Sequence, residues 1–266
     1  IDNYITENIF LRDNKLYYKK PTKEIKIGNN NWHKYLEEYG WEKLHLNWIK
    51  RLNKSIRCKS LNKSASSSKK EKRKNSLFGV LDCGGSGDCF FSCVIESLNS
   101  ERDVYDKYDV KMLRAMLAGS ITEDKFKPMI EHYRILNDIG EFHDEWDPHK
   151  VDNVEELKAE LVKEGTNFLA DYIILQLFQQ LFSINVIILN STQFQLGPIK
   201  NKSLFKLYNT GIRYSKDNKT IILSYEDEQH FRLVGHLQNN NMITLFNNTT
   251  LPDEMFNIID ADLIKN

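Results

Sequence analysis

Between residues 84 and 95 the chain runs Gly84-Gly85-Ser86-Gly87-Asp88-Cys89-Phe90-Phe91-Ser92-Cys93-Val94-Ile95. Three glycines in four residues let the backbone take positive φ and bend sharply. The apolar spacing that follows, Phe90-Phe91-x-x-Val94-Ile95-x-x-Leu98, predicts a helix starting at that bend. A thiol therefore sits where a loop of backbone amides meets a helix N-terminus. That end of a helix carries partial positive charge and favours a thiolate. Loop amides can also face a developing oxyanion. Cys89 is the candidate nucleophile. A phosphate-binding loop is the competing reading of the glycines, but the Gly-Lys-Ser/Thr ending is missing.

The 266 residues are 41% hydrophobic and 28% charged, enough to bury a real core. Formal net charge is zero, so any basic function has to be local. Of the four cysteines, Cys83, Cys89 and Cys93 crowd one loop and helix start without Cys-x-x-Cys spacing, and Cys58 stands apart. That pattern argues against a disulfide framework or structural zinc and for a reducing compartment. No apolar run approaches the roughly 20 residues that span a bilayer. The chain opens on Ile rather than Met and reads as a piece of a longer protein, so the lack of a signal peptide excludes nothing.

Residues 1–58 read as an N-terminal appendage. Ile9–Arg12 and Lys15–Tyr18 flank a tight Asp13-Asn14 turn, Glu24–Ile27 adds a third edge, and 31–56 have helical aromatic spacing broken at Gly40. Three of the four tryptophans lie here and need a surface to bury against. Residues 59–76, rich in Ser, Asn and Lys, form a flexible basic linker; Lys69-Lys70-x-Lys72-Arg73-Lys74 also reads as a nuclear localisation signal or nucleic-acid patch. From 77 to 266 the composition is globular. Helices are predicted at 90–98, at 110–117 capped by Asp109, at 123–136 interrupted at Pro128, at 154–162 and at 168–182. Strands follow at 185–189, 220–225 and 230–236, with 242–246 pairing back on the last, and a short helix follows Pro252. Helices first and a mostly antiparallel sheet later is α+β order.

A cysteine nucleophile needs a base, and histidine fits best. Of seven, His33 and His45 fall in the appendage, His132 in mid-helix, and His143 and His149 in a loop. His230 opens a strand after the acidic run Glu226-Asp227-Glu228, where a ring can be aimed rigidly; His236 lies six residues further along. His230 is the candidate base.

The stretch Gly87-Asp88-Cys89-Phe90-Phe91 resembles the nucleophile motif of ovarian tumour (OTU) domain cysteine proteases, Asp-Gly-x-Cys-[Leu/Phe]-[Phe/Tyr]. Asp109-Val110-Lys111-Met112-Leu113-Arg114 resembles the family's Asp-Val-x-x-Leu-Arg helix, Leu169-Ala170-Asp171 its Trp-Gly-Asp helix start, and His230-Phe231 its His-Tyr/Phe pair. The resemblance covers about 77–260, and the Gly-Gly-Ser-Gly-Asp-Cys form is most similar to OTU domains of large DNA viruses, mimivirus-like ones included. It implies a papain-like α+β fold, a mostly antiparallel sheet flanked by helices, and 77–266 as the catalytic domain. It implies thiol-dependent hydrolysis of the isopeptide bond at ubiquitin's C-terminus, with Cys89 attacking, His230 as base, and the amides of Gly87, Asp88 and Cys89 holding the oxyanion. No metal or other cofactor is implied. The implied partner is ubiquitin or polyubiquitin, with a ubiquitin-like modifier as the alternative, and no membrane or nucleic acid; the implied state is a monomer. The implied compartment is host cytoplasm or virion, with the nucleus as the alternative.

Two departures stand out. The family's aspartate lies three residues before the cysteine, where this chain has Ser86, so the loop is expected to lack its usual aspartate clamp; Ser86 becomes a substrate-side position. The family's histidine orienter often lies two residues after the histidine, where this chain has Arg232, which accepts no hydrogen bond. Asp82, because some members of the family use an acid upstream of the cysteine, and Asn247 or Asn248, past the neighbouring strand, are the candidates for that role, with a dyad lacking a third member as the alternative. Glu226, Asp227 and Glu228 are candidate contacts for the two arginines of ubiquitin's tail. A non-catalytic ubiquitin-binding module, or a protease acting on a viral polyprotein, are the alternative functions.

Overall fold

A computed structural model describes residues 4, 6–13, 15–28, 31–59, 76–194, 202–208, 211–226 and 230–259. The linker expected at 59–76 lies almost wholly outside them, as do Asp227 and Glu228. Up to Asp82 the chain holds strands β1 (Ile9–Arg12), β2 (Lys15–Lys20) and β3 (Lys23–Lys26), helix α1 (His33–Leu36), strand β4 (Trp41–Lys43), helix α2 (Leu46–Lys59) and strand β5 (Phe78–Leu81). A helical stretch follows, with α3 (Cys89–Asn99), α4 (Val110–Gly119), α5 (Glu123–Asp138), α6 (Val154–Leu161) and α7 (Tyr172–Phe182). Then come β6 (Ile184–Phe194), β7 (Lys202–Tyr208), β8 (Lys219–Glu226), β9 (His230–Gln238), β10 (Asn241–Ile243), β11 (Leu245–Phe246) and α8 (Asp253–Ile259). This is the α+β class.

The chain divides into two units, one of Ile1–Asp82, Ile187–Tyr208 and Arg213–Asn266, the other of Cys83–Val186 and Asn209–Ile212. The first unit carries an eight-stranded sheet of order β4-β5-β9-β8-β6-β7, with β10 on β9 and β11 on β8. Its described ladders are antiparallel. The packing crosses the boundary expected at residue 58. Leu44, Trp48, Ile49 and Leu52 share one core with Phe78, Val80, Ile187, Ile222, Val234, Phe246 and with Met255, Ile258 and Ile259 of α8. The three early tryptophans are thus buried within the chain, at 0%, 5% and 0% exposure for Trp32, Trp41 and Trp48. The indole N–H of Trp32 donates to the Ser76 carbonyl at 2.9 Å and that of Trp48 to Ser191 Oγ at 3.1 Å, which removes the cost of burying them. The helical pattern read over 31–56 is broken by the edge strand β4, entered through Gly40 at φ 81°.

Strands β1, β2 and β3 form a separate antiparallel sheet whose inner residues Ile9 and Leu16 pack with Trp32, Leu36 and Trp41. Strands β9 and β10 close through Asn239 and Asn240, both at positive φ, as a two-residue hairpin asks. The expected single strand 242–246 is in fact two, because β11 leaves β9 and pairs with β8.

The second unit is helical, and aromatic packing dominates it. Phe90 lies edge-on to Phe91 and Phe178, while Tyr133, Phe142, Trp146 and Phe168 form a second cluster. Asp109 caps α4 by accepting from the Met112 amide at 2.7 Å. Helix α5 runs through Pro128 rather than stopping there. One backbone hydrogen bond is lost, and buried Phe126, Met129, Ile130 and Tyr133 hold the helix on either side. Helix α7 starts at Tyr172, four residues later than expected, because Asp171 Oδ1 accepts from the amides of Ile173 and Ile174, both at 2.9 Å. Among the described residues no helix is long and apolar enough to cross a membrane.

Candidate active site

Helix α3 begins at Cys89, whose side chain is buried, and the Ser92 amide donates to the Asp88 carbonyl at 2.8 Å as the first helical bond. The preceding loop turns through Gly84 at φ 122°, Ser86 at φ 61° and Gly87 at φ 91°. Ser86 is exposed. Cys83, Cys89 and Cys93 carry thiols, and Cys93 is fully buried as a small apolar side chain one turn along the helix.

This loop has a clamp, contrary to the expectation drawn from Ser86. The Asp88 carboxylate supplies it from the position next to the nucleophile. Its Oδ1 accepts from Arg114 Nε at 2.9 Å and Nη2 at 2.6 Å, and its Oδ2 accepts from the Gly165 amide at 2.7 Å. Arg114 is fully buried and gives its other donors to the carbonyls of Leu161 (3.0 Å), Gly165 (3.3 Å) and Phe168 (3.0 Å). The Phe91 ring covers the guanidinium, 3.9 Å from its centroid. Charge and donors are therefore met together, the condition under which a buried ion pair is tolerated. Gly87 completes the contact. A Cβ there would lie 2.3 Å from the Gly165 carbonyl carbon and 2.5 Å from the Thr166 nitrogen. Sequence reasoning took Arg114 only as part of a helix motif. The missed signal is its place among Leu113, Leu117 and Ala118, all buried, since a cation on an apolar stripe requires an anion.

The first unit holds the candidate base. In the β5–β9 ladder Leu81 pairs with Leu233, so Asp82 comes next, opposite Arg232, and His230 is its diagonal neighbour on the same face. His230 Nε2 lies 3.1 Å from Asp82 Oδ1. With the proton on Nε2 shared to the carboxylate, Nδ1 keeps the lone pair and can take a proton. Arg232 is engaged elsewhere, donating to Glu42 Oε2 at 2.6 Å. Asn247 does not reach His230. Its Oδ1 accepts from the amides of Thr249 (2.9 Å) and Thr250 (3.0 Å) and closes its own turn. Of the candidate orienters, Asp82 is the one hydrogen-bonded to the histidine among the described residues. His236, further along β9, packs its ring on Phe78, and burial lowers it to about 4, so it is neutral near pH 7. The side chain of Glu226, like Asp227 and Glu228, lies outside the described residues. Among the described residues no three His, Cys, Asp or Glu side chains cluster as a metal site.

Around the Gly165 segment the second unit holds one exposed and one half-buried carboxyl. Thr166 Oγ1 donates to Glu145 Oε1 at 2.5 Å, and the Trp146 indole donates to Asp144 Oδ2 at 3.1 Å. Burial raises the Asp144 carboxyl to about 7, although the Trp146 and Leu169 donors pull it back. A carboxyl raised in the folded state stabilises it fully below the unfolded value of 3.8 and loses that contribution as pH rises through 7. Asp144→Asn does not titrate. The variant should therefore gain on the wild type by up to about 4 kcal/mol between pH 4 and pH 8, as read by urea unfolding at each pH. A difference independent of pH would contradict the burial of this carboxyl.

No family of known proteins matches the sequence, and no curated protein does. Solved structures similar to this chain include an OTU deubiquitinase from Wolbachia pipientis wMel bound to ubiquitin, 14% identical, covering 65% of this chain and 98% of that one, with a TM-score of 0.38. The OTU domain of OTUD1 is 16% identical over 59% of this chain and 85% of that one, with a TM-score of 0.36. A further structure of an OTU deubiquitinase from Wolbachia pipientis wMel is 13% identical, covering 68% of this chain and 94% of that one, with a TM-score of 0.37.

Proposed function

We propose that the chain is a thiol-dependent deubiquitinase of the OTU type, with Cys89 as nucleophile and His230, oriented by Asp82, as base. The observation that carries this reading is the hydrogen bond between His230 Nε2 and Asp82, because it supplies the orienter that Arg232 cannot be. The bend into α3 and its clamp support Cys89 as the thiol, and the resemblance of the motifs around Cys89, Asp109 and His230 supports ubiquitin as the substrate.

In this reading His230 Nδ1 takes the Cys89 proton, and the sulfur attacks the carbonyl of ubiquitin's last glycine. The tetrahedral oxyanion is held by the amides of Gly87, Asp88 and Cys89. The C–N bond breaks, the lysine amine leaves with the proton from His230, and ubiquitin remains as a thioester on Cys89. Water then gives its proton to His230 and displaces the thiol, releasing ubiquitin's free carboxylate. The mimivirus-like lineage remains part of the proposal and rests on the Gly-Gly-Ser-Gly-Asp-Cys form together with the tail His230-Phe231-Arg232-Leu233-Val234.

Turnover of defined ubiquitin dimers tests the reading. The wild type should release monomer from at least one linkage. Cys89→Ala should release none, and Asp82→Asn should slow release by about 10–100-fold through a misoriented ring. Retained ubiquitin binding with no cleavage by the wild type would mark a binding module instead. Cleavage of an activated ubiquitin-like modifier but not of ubiquitin would move the substrate.

A further inference from the structure

The β1–β3 sheet has two unlike faces. Its inner face, with Ile9, Leu11, Leu16 and Tyr18, packs into the tryptophan-rich core. Register puts a different set on the other side. Arg12 pairs with Lys15, Phe10 with Tyr17, Tyr17 with Lys26, and Lys19 with Glu24, and cross-strand partners share a face. Four cations and one acid therefore surround two aromatic rings. Residues 9–26 carry six Lys or Arg against two acids, while the whole chain is neutral. The Phe10 and Tyr17 rings lie 5.7 Å apart and 19° from parallel. The Arg12 guanidinium lies over Tyr17, 4.4 Å from the ring centroid, and is tethered by Glu24 at 2.7 Å. Arg12, Lys15, Lys19 and Lys26 are exposed, and the two rings are half-buried.

We propose that this face binds single-stranded nucleic acid. Lys15 and Lys19, each two residues from Tyr17, stand roughly 13 Å apart along the strand and offer contacts to the phosphates on either side of a base held at Tyr17. The near-parallel rings and the tethered guanidinium offer flat surfaces for unpaired bases. An acidic peptide would use the cations and leave the planar groups unused. A duplex hides its base faces. The net charge of the whole chain gave no sign of this site, because acids elsewhere balance it. The proposal stands apart from the thiol chemistry and uses no residue of it.

The test is fluorescence anisotropy of the full chain with a labelled single-stranded oligonucleotide of mixed sequence, titrated at several salt concentrations. The combined variant Lys15→Glu, Lys19→Glu, Lys26→Glu should weaken binding at least about tenfold and reduce the slope of log affinity against log salt by about 2. Tyr17→Leu keeps an apolar side chain but removes stacking, and should weaken binding about fivefold or more. Serines at Lys69, Lys70, Lys72, Arg73 and Lys74 should change affinity less than twofold. Thermal unfolding of each variant, compared with wild type, separates lost binding from lost folding. The proposal is overturned by absence of binding at low salt, by equal affinity for duplex, by equally effective displacement with oligoglutamate, or by loss confined to the 69–74 variant.

Discussion

Replacing Arg114 with Met should cost the second unit about 3–5 kcal/mol, the range for breaking a buried pair from one side. Asp88 would keep its charge with only the Gly165 amide as partner, and the carbonyls of Leu161, Gly165 and Phe168 would each lose a donor. Met fills much of the same volume against Phe91, so the loss is polar rather than a cavity. Asp88→Asn should also destabilise, by leaving the guanidinium's charge buried and uncompensated. The double variant should be less damaged than the sum of the two, with a coupling of 1 kcal/mol or more in a double-mutant cycle. Denaturant unfolding followed by Trp146 fluorescence, with Trp32, Trp41 and Trp48 replaced by Phe in every variant compared, reads this. A loss under about 1 kcal/mol for Arg114→Met would mean that the ion pair does not hold the loop.

Gly87→Ala should cost both stability and catalysis. Gly87 sits at φ 91°, and its Cβ position falls 2.3–2.5 Å from backbone atoms of Gly165 and Thr166. Backbone cannot step aside as a flexible side chain can, so one loop has to move. The strain costs about 1–3 kcal/mol. Displacing the Cys89 loop by an ångström should cost about 100-fold in kcat. Gly85→Ala is the control. A Cβ there meets nothing within 4 Å, and its φ is not in the left-handed range. It should change kcat less than about twofold. Equal effects of the two substitutions would remove the steric account of the loop.

Much of this architecture is readable from local pattern. The α3 and α4 helices, the β1–β2 hairpin and the buried strands β6, β8 and β9 carry strong periodicity or clear end signals. What escaped depends on packing between distant residues. Strand β4 is three residues long, Trp41-Glu42-Lys43, and its aromatic falls in step with the helical spacing around it; only the ladder to β5 makes it a strand. Helix α5 tolerates Pro128 because its apolar stripe is buried on both sides of it, which the local rule for proline ignores. Cys89, His230 and Asp82 were open to sequence reasoning because each has a local signature or a place in a motif. Choosing Asp82 over Asn247 required the β5–β9 register and the closed turn at Asn247. The clamp required more, since Arg114 is 26 residues from Asp88 and Gly165 is 77. Its one trace in the sequence is a charged residue on an apolar helix stripe.

The most direct measurement is intact mass of the full chain after reaction with ubiquitin carrying a C-terminal electrophile, followed by peptide mapping of the adduct. One ubiquitin should be added per chain, the linkage should map to Cys89, and Cys89→Ala should show no adduct while unfolding at the wild-type temperature. An adduct on Cys58, Cys83 or Cys93, or one that persists in Cys89→Ala, would contradict Cys89 as the nucleophile. No adduct with the folded wild type would contradict the deubiquitinase reading as a whole.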